Sequence, residues 1–303
     1  MAEPQPIVIA RKRHSPLMRW RIGRRVAKAV RNEAAFLPEF DRLRRSIKGT
    51  FPEARGGPIL LCACNDHYYR EFAPTFIRSI DRLGGRERFH LHLSAPSAEV
   101  LADVARLAAS LQTVELTHSQ DDGSGALLPH YPTIYWAAVR FLVAPLVLEA
   151  ARSEVLCLDV DGIARRPVGP ALAALGEAAA DVVLIKRPQE KHVRKVLASA
   201  LSIRPTPGGF AFAAMLRRAV AGALALKPRY HVDQLVIHLL VERLERENRL
   251  TTAAMPLAFA DHDFSDGSVI WTAKSWQRKN SPAFLAAKAA ALGEARENEA
   301  EAL

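Results

Sequence analysis

The sequence predicts an α/β fold with a mainly parallel mixed sheet and helices on both faces. Short apolar segments alternate with segments of helical periodicity from residue 58 onward, as is typical of parallel sheets with crossover helices. An apolar run at 155–158 ends in two aspartates, as strands of such sheets do at their binding edge. We therefore expect a basic helical arm at 1–57, one α/β domain at 58–285, and a helical or disordered tail at 286–303.

The arm carries almost all of the net charge of +10. Residues 1–55 hold 14 Lys/Arg and 5 Asp/Glu, a net charge of +9, and the rest of the chain is nearly neutral. A broadly basic domain surface for nucleic acid is therefore not indicated. Leu17 and Trp20 alternate with arginines at helical spacing. Such a segment either contacts an anionic membrane surface through residues 1–55 or packs on the domain as a solvated helix.

The predicted elements follow the chain in order. Strands are expected at 59–64, 89–94, 114–117, 154–158, 182–186, 208–212, 257–260 and 269–272. Helices are expected in the arm and at 40–47, and then at 71–83, 98–111, 134–151, 170–179, 213–226 and 232–247. Pro145 should break or kink the longest of these helices.

The cysteines and the hydropathy favour a cytoplasmic protein. Cys62, Cys64 and Cys157 all lie in apolar runs, which indicates buried, reduced thiols. No run of eighteen consecutive apolar residues suggests a transmembrane helix. We expect a cytoplasmic location, with peripheral contact at the inner face of a membrane if the arm binds lipid.

Asp159 and Asp161 are the most informative residues of the chain. Side chains two residues apart in a strand point to the same side, so we expect both carboxylates to leave the strand end together. Two such carboxylates repel each other without a cation, and hard oxygen ligands suit Mg²⁺ or Mn²⁺. The sequence therefore predicts a metal-bound phosphate ligand at this edge of the sheet.

Two further groups of polar side chains have more than one interpretation. Asn65 and Asp66 end the first strand of the domain, where they either bind a nucleoside or cap the next helix. Tyr135 belongs to an aromatic row that either contacts a ligand or lies in the core. Arg140, between two apolar residues, needs a partner, either a phosphate or the first aspartate.

Five segments in this order resemble the GT-A glycosyltransferases with an Asp-x-Asp motif, most of all the retaining family-eight type. The five are Asn65-Asp66 after a strand, Tyr135-x4-Arg140-Phe141, Leu158-Asp159-Val160-Asp161, His231-Val232-Asp233-Gln234, and Lys274-Ser275-Trp276. The resemblance implies a hexosyltransferase of polysaccharide biosynthesis. Its donor would be a nucleotide sugar, most of all a UDP-sugar, and its acceptor a glycan, a lipid-linked sugar or a protein.

The resemblance also implies roles for the residues. Mn²⁺ or Mg²⁺ would bridge the donor diphosphate to Asp159 and Asp161, and Lys274 would contact that diphosphate. Asn65, Asp66, Tyr135 and Arg140 would belong to the donor site. Asp233 and Gln234 would face the sugar or the acceptor, although Asp233 also suits a helix cap.

The chain departs from the family pattern at the third metal ligand. The family's closing motif has a histidine and a glycine where this chain has Ser268 and Trp271. Asp261, His262 and Asp263 are the nearby candidates, and we expect His262 to be the ligand, although a plain loop residue remains an alternative.

Two other interpretations stay open. The segment 158–163 also resembles the first motif of haloacid-dehalogenase-type phosphatases, in which Asp159 would be the nucleophile of a Mg²⁺-dependent reaction. That family needs a Ser/Thr at a later strand end, where this chain has Lys186-Arg187. The non-enzymatic interpretation is a protein that docks on a membrane or a nucleic acid through the basic arm and whose α/β domain is inactive.

Overall fold

A computed structural model describes residues 13–176, 179–190 and 195–293. Its main sheet contains eight strands. These are β1 Lys48–Gly49, β2 Ile59–Asn65, β3 Glu87–Ser94, β4 Val114–Asp121, β5 Val155–Leu158, β7 Val182–Lys186, β8 Val196–Ile203 and β9 Thr252–Ala254. β6 Gly162–Ala164 and β10 Ile270–Thr272 form a separate antiparallel pair.

The strand order in the main sheet is β1-β4-β3-β2-β5-β8-β7-β9. β2 runs parallel to both of its neighbours, β3 and β5. β8 is antiparallel to β5 and to β7. The chain moves outward from β2 to β4 and then returns to place β5 on the other side of β2. Such a reversal opens a crevice at the carboxyl ends of the two central strands, here β2 and β5.

Eleven helices with described bounds surround the sheets. They are α1 Pro16–Arg31, α2 Leu37–Ser46, α3 Asp66–Asp81, α4 Ala98–Ser110, α5 Pro132–Ala138, α6 Arg140–Ala151, α7 Val168–Ala173, α8 Pro207–Leu224, α9 Asp233–Arg246, α10 Trp276–Lys279 and α11 Pro282–Leu292. Several begin with a capping side chain that accepts a backbone N–H, such as Ser15, Ser97 and Thr206. A proline follows Ser15 and Thr206, where its missing N–H costs nothing.

The helices cover both faces of the sheet, as the sequence predicts. One core includes side chains of α1, α2, α5, α6, α8 and α9. The other includes side chains of α3, α4 and α7. The helices α1 and α2 of the arm contribute fully buried residues to the first core, among them Ile22, Val26 and Phe40. Burying a side chain of this size stabilises a fold by about 1.5–3 kcal/mol, so the two arm helices are part of the packed structure.

Two of the predicted strands are wrong. Residues 208–212 lie inside α8, because Thr206 and Pro207 start a helix there. Residues 257–260 form a 3₁₀ turn rather than a strand. The sequence analysis missed the short strands β1, β6 and β9 and the long strand β8, which is fully buried and antiparallel to its neighbours. Its small residues Ala198, Ser199 and Ser202 hide the alternation typical of strands.

The helical stretch 132–151 breaks at Val139 and not at Pro145. Val139 caps both α5 and α6, whereas Pro145 lies inside α6. The stretch has the length and hydropathy of a membrane span, yet 78% of its apolar window is buried inside the fold. A buried core helix accounts for this composition.

The division into arm, domain and tail stays a prediction. Residues 1–12 and 294–303 lie outside the described part of the chain, so most of the predicted tail does too. Among the residues that are described, α11 runs across the predicted boundary at 285/286 and buries Phe284 against Phe72 and Ile163.

Candidate functional site

A large cleft opens beside the carboxyl end of β5. Its volume is about 1590 Å³. Charged and polar side chains line it, and they come from distant parts of the chain. They include Arg13, Arg19, Arg140, Asp159, Arg187, Ser199, His231, Asp233, Gln234 and Lys274. The cleft therefore brings together five of the residues that the sequence predicts for the site: Arg140, Asp159, Asp233, Gln234 and Lys274.

Arg140 is the buried centre of this cleft. It begins α6 and is only 5% exposed. Its Nη2 donates to Asp159 Oδ1 at 2.8 Å and to the carbonyl oxygen of Ala198 at 3.0 Å. The same nitrogen lies 3.9 Å from Asp233 Oδ2. Burial acts to lower the pKa of Arg140, but Asp159 and Asp233 hold it above its usual value. A guanidinium fixed in this way orients the first aspartate, which is one of the two partners expected for it.

Asp159 lies one residue beyond the end of β5. Its backbone N–H donates to the Ser199 carbonyl at 3.2 Å, so β8 holds the strand end in place. Burial acts to raise the pKa of Asp159, but Arg140 and the Ser199 hydroxyl hold it below its usual value. The carboxylate is therefore ionised at neutral pH and points toward the cleft.

Asp161 has a different cation beside it. Its Oδ2 lies 3.0 Å from Lys279 Nζ, and that ammonium also lies over the rings of Tyr68 and Phe72. Burial raises the pKa of Asp161 above its usual value, and the charge of Asp159 adds to this, although Lys279 opposes it. The two carboxylates thus affect each other electrostatically, which makes this an environment that favours a further positive charge.

His262 presents an unused nitrogen to this region. Its Nδ1 donates to the Thr272 carbonyl at 3.1 Å, and its Nε2 is buried with no hydrogen-bond partner among the described residues. Burial lowers the pKa of His262, so the ring is neutral at pH 7. A ring fixed through one nitrogen, with a free lone pair on the other, is typical of a metal-ligating histidine.

The two neighbours of His262 are already engaged. The Asp261 carboxylate accepts from the backbone of Asp263 at 2.8 Å and of Ser265 at 2.7 Å, and from the Ser268 hydroxyl. Asp263 pairs with Arg278 at 2.9 Å. Of the three candidates for a third ligand, His262 is therefore the best suited.

The donor set fits a divalent cation only in part. Within the described ranges no three His, Cys, Asp or Glu side chains converge closely enough to hold a metal by themselves. Mg²⁺, however, commonly binds one or two carboxylates together with substrate phosphates rather than an all-protein cage. Two carboxylates and an orphaned imidazole nitrogen match that kind of site in their chemistry.

Asp233 and Gln234 begin α9 at the wall of the cleft. The helix is capped by Val232 without a side-chain hydrogen bond, so Asp233 is not the cap residue. Its side chain is 91% buried and faces Arg140. Lys274 lines the same cleft. Burial lowers its pKa, although the negative charges of Asp159 and Asp233 oppose this.

Three predicted donor-site residues have structural contacts of their own. Asn65 Oδ1 accepts the Tyr68 N–H at 3.2 Å and so caps α3. Both carboxylate oxygens of Asp66 accept the Ser97 N–H, at 3.2 and 3.1 Å. Tyr135 is completely buried and donates to Asp121 at 2.7 Å. Asn65 and Asp66 still lie at the end of β2, next to β5, whereas Tyr135 has no surface open to a ligand.

Sequence reasoning missed several residues of the site. Arg187 follows β7 and lines the cleft, with its Nε buried and unpaired among the described residues. His14, just before α1, contacts the carbonyl oxygen of His231 at 2.8 Å. Lys279 reaches Asp161 from α10. A charged residue after a strand could have indicated Arg187, but no local pattern links His14 or Lys279 to the other members.

The fold is that of GT-A glycosyltransferases. The glycosyltransferase GlyE of Streptococcus pneumoniae is similar, with a TM-score of 0.52 and 13% identity over 80% of this chain. This chain spans 64% of the length of GlyE. Galactosyltransferase LgtC gives a TM-score of 0.46 at 13% identity, covering 77% of this chain and 95% of LgtC. Mouse xyloside xylosyltransferase 1 gives 0.44 at 11% identity, covering 67% and 86%.

Comparisons of sequence alone do not extend the likeness found between structures. No family model matches the chain, and no curated protein matches it. The likeness to solved structures therefore establishes the fold, and the residues of the cleft are the evidence for its chemistry.

Proposed function

We propose that this protein is a metal-dependent glycosyltransferase that moves a hexose from a nucleotide-diphosphate sugar to a glycan, lipid-linked or protein acceptor. The observation that carries the proposal is Asp159 in the cleft at the end of β5, together with Asp161 and His262, which do not line the cleft but interact electrostatically with Asp159. The Nε2 of His262 is buried and has no partner among the described residues. Ligands of open α/β sheets bind in a crevice at the carboxyl ends of the strands. The fold of the chain is one in which glycosyltransferases are built.

Mn²⁺ or Mg²⁺ is the cofactor in this proposal, held by Asp159, Asp161 and His262. When bound, the ion supplies positive charge to the donor diphosphate as that group departs. Arg140 fixes Asp159 through the contact at 2.8 Å, and Ser199 fixes the strand end beside it. Holding a ligand in one orientation before the substrate arrives reduces the cost of binding.

Lys274 is the proposed cationic contact to the leaving diphosphate. The bond between the sugar C1 and a diphosphate oxygen breaks, and negative charge builds on the departing nucleotide. A cationic side chain aimed at that charge stabilises the transition state more than the ground state. Arg187 lines the same cleft and adds a second cation. Together they hold the nucleoside diphosphate while C1 bonds to the acceptor oxygen and the proton of that hydroxyl passes to the departing diphosphate.

Asp233 and Gln234 face the sugar and the acceptor in this proposal. The sugar gains oxocarbenium character as the C1 bond stretches, and nearby carboxylate or amide oxygens stabilise it. Asp233 is held toward the cleft by Arg140 at 3.9 Å. Transfer with retention of configuration is part of the proposal only through the resemblance of the sequence to the family-eight type. Asn65 and Asp66, at the end of β2, are the proposed contacts to the nucleoside of a UDP-sugar.

The phosphatase interpretation has no comparable support. It needs Asp159 as a nucleophile, whereas Asp159 Oδ1 is engaged by a buried guanidinium. β7 ends in Lys186, followed by Arg187, and not in the Ser/Thr that this chemistry requires. The fold likeness is to glycosyltransferases.

A panel of nucleotide sugars tests the proposal. The purified protein is incubated with each donor, with Mn²⁺ or with a chelator, and release of nucleoside diphosphate is measured. We expect Mn²⁺-dependent release from at least one donor and loss of this activity in Asp159→Asn, with Asp41→Asn, at an exposed aspartate of α2, as the control. Release of phosphate from simple phosphoesters, lost in Asp159→Asn, would favour the phosphatase instead.

A further inference from the structure

One face of α1 is exposed and combines apolar with basic side chains. Leu17 is 62% exposed and Trp20 is 56% exposed. Arg21 and Arg24 are exposed as well, and Lys28 continues the row. Their spacing of three, one, three and four residues places all five on one side of the helix. We call this set the α1 stripe.

The opposite face of α1 fixes the α1 stripe to the body of the protein. Ile22, Val26 and Ala29 are 0–2% exposed and belong to the core beneath α8 and α9. Arg218 of α8 also donates to the Ala29 carbonyl at 3.0 Å. The α1 stripe therefore keeps one orientation relative to the cleft, unlike a flexible basic tail.

We propose that the α1 stripe docks on an anionic lipid bilayer, with Trp20 and Leu17 in the interface and the basic side chains at the headgroups. The helix carries six basic residues and no acidic one, so its charge is complementary to such a surface. Indole rings favour the interfacial region, and arginines extend their charge to the headgroups while their stems cover apolar surface. The Arg24 guanidinium lies 5.0 Å from the Trp20 ring and keeps cation and ring together.

The position of the cleft gives this docking a consequence. Ser15, Pro16 and Arg19, at the start of α1, line the cleft. The contact from His14 to His231 joins this end of the arm to the wall that carries Asp233. Docking of the α1 stripe places the cleft at the membrane surface. If the proposed function holds, the acceptor is a lipid-linked sugar that reaches the cleft from that surface.

An acidic polymer is the other partner that a basic helix suits. Phosphate contacts alone would not need two large apolar side chains at the exposed end of the helix, because their burial in the interface is what stabilises lipid binding. The experiment therefore compares anionic vesicles with neutral vesicles and with heparin.

Vesicle sedimentation tests the electrostatic part. Each basic residue near an anionic surface increases partitioning roughly five-fold, so Arg21→Glu/Arg24→Glu should weaken binding to phosphatidylserine vesicles at least about 25-fold. The matched control is Arg86→Glu/Arg166→Glu, two exposed arginines in the layer of α3 and α7 with the same change of charge. Equal loss in both variants, or unchanged binding in the first, would overturn the proposal.

A second variant tests the apolar part. Leu17→Ala/Trp20→Ala should weaken vesicle binding, and brominated lipids should quench the wild-type fluorescence more than that of Trp20→Phe. Binding to heparin that survives Leu17→Ala/Trp20→Ala, together with unchanged vesicle binding, would contradict the lipid proposal and favour an acidic polymer. Removal of residues 1–55 is not a usable test, because it would also remove the buried Ile22 and Phe40.

The docking proposal and the proposed function can fail independently of each other. Metal-dependent binding of nucleoside diphosphate in solution should be the same in all of these variants, because none of the substituted residues lines the cleft. Vesicle binding without nucleotide binding would leave the docking intact and refute the glycosyltransferase. Nucleotide binding without vesicle binding would refute the docking and leave the proposed glycosyltransferase intact.

Discussion

Two buried polar clusters of this protein use similar side chains and differ in how completely these are paired. Between β3 and β4, His90 contacts Thr117 and Ser119 through its two ring nitrogens, each at 2.9 Å. His92 contacts Ser119 at 2.9 Å and Asp121 at 3.0 Å in the same way. We call this the strand network.

The second cluster consists of Arg140, Asp159, Asp161, Asp233 and His262, and we call it the cleft cluster. It is paired less completely. His262 Nε2 and Arg140 Nε are buried without a hydrogen-bond partner among the described residues, and burial raises the pKa of Asp161. A fully paired buried network stabilises and specifies a fold, whereas unpaired buried groups cost stability and are retained where a ligand completes them. We therefore predict that the strand network serves stability and that the cleft cluster serves binding.

The largest expected effect separates the two clusters by activity. Asp161→Asn should lower metal-dependent turnover by about 100- to 1000-fold, because one of the carboxylates proposed to hold the cation is lost and with it the positive charge at the departing diphosphate. Its free energy of unfolding should also fall, by as much as about 3 kcal/mol, because the nearly buried Lys279 loses its partner, so turnover is compared per folded molecule. Turnover assays and urea unfolding measure both quantities, with Asp41→Asn, at an exposed aspartate of α2, as the control.

The reverse pattern is expected in the strand network. Asp121 accepts hydrogen bonds from His92, Tyr135 and the Gly123 N–H, so Asp121→Asn should cost about 2–4 kcal/mol of unfolding free energy. Affinity for nucleoside diphosphate should remain within about two-fold of the wild type. A stable variant with weakened nucleotide binding would show that the two clusters are not separate in function.

Acid sensitivity gives a smaller effect. Burial, with His92 and His118, lowers the pKa of His90 to about 3. A histidine whose pKa is lower in the folded state contributes stability above its unfolded pKa of about 6.5, and this is lost as the pH falls toward the folded value. Between pH 7 and pH 5.5 the loss from His90 is about 1 kcal/mol. Between pH 7 and pH 5.5, the unfolding free energy of His90→Gln should fall by about 1 kcal/mol less than that of the wild type. An equal fall in both proteins would contradict the lowered pKa of His90.

Tyr135 gives the smallest effect and decides between its two interpretations. Tyr135→Phe removes one hydrogen bond to Asp121 and should cost about 1 kcal/mol of stability. Nucleotide affinity should not change, because the ring is completely buried. Weaker donor binding at unchanged stability would restore Tyr135 to the donor site.

The sequence was sufficient for those parts of the site that follow from local pattern. A run of apolar residues predicts the strand that Asp159 and Asp161 follow, and an arginine between apolar residues predicts a buried partner for Arg140. The expected common direction of the two carboxylates rested on strand geometry, but β5 ends at Leu158 and a bend follows, so Asp159 pairs with Arg140 and Asp161 with Lys279. β8 was not predicted, because its run of small residues carries no clear period. Lys279 and His14 could not be predicted, because their contacts with Asp161 and His231 join segments that are more than a hundred residues apart.

Calorimetric titration of the protein with UDP tests the central claim most directly. We expect binding in the presence of Mn²⁺, and binding at least about ten-fold weaker with a chelator, in Asp159→Asn or in His262→Ala. His118→Ala, on β4 and outside the lining of the cleft, should behave as the wild type. Binding of UDP that is equally strong with and without Mn²⁺ and in all three variants would contradict the assignment of the cleft cluster as a metal–diphosphate site.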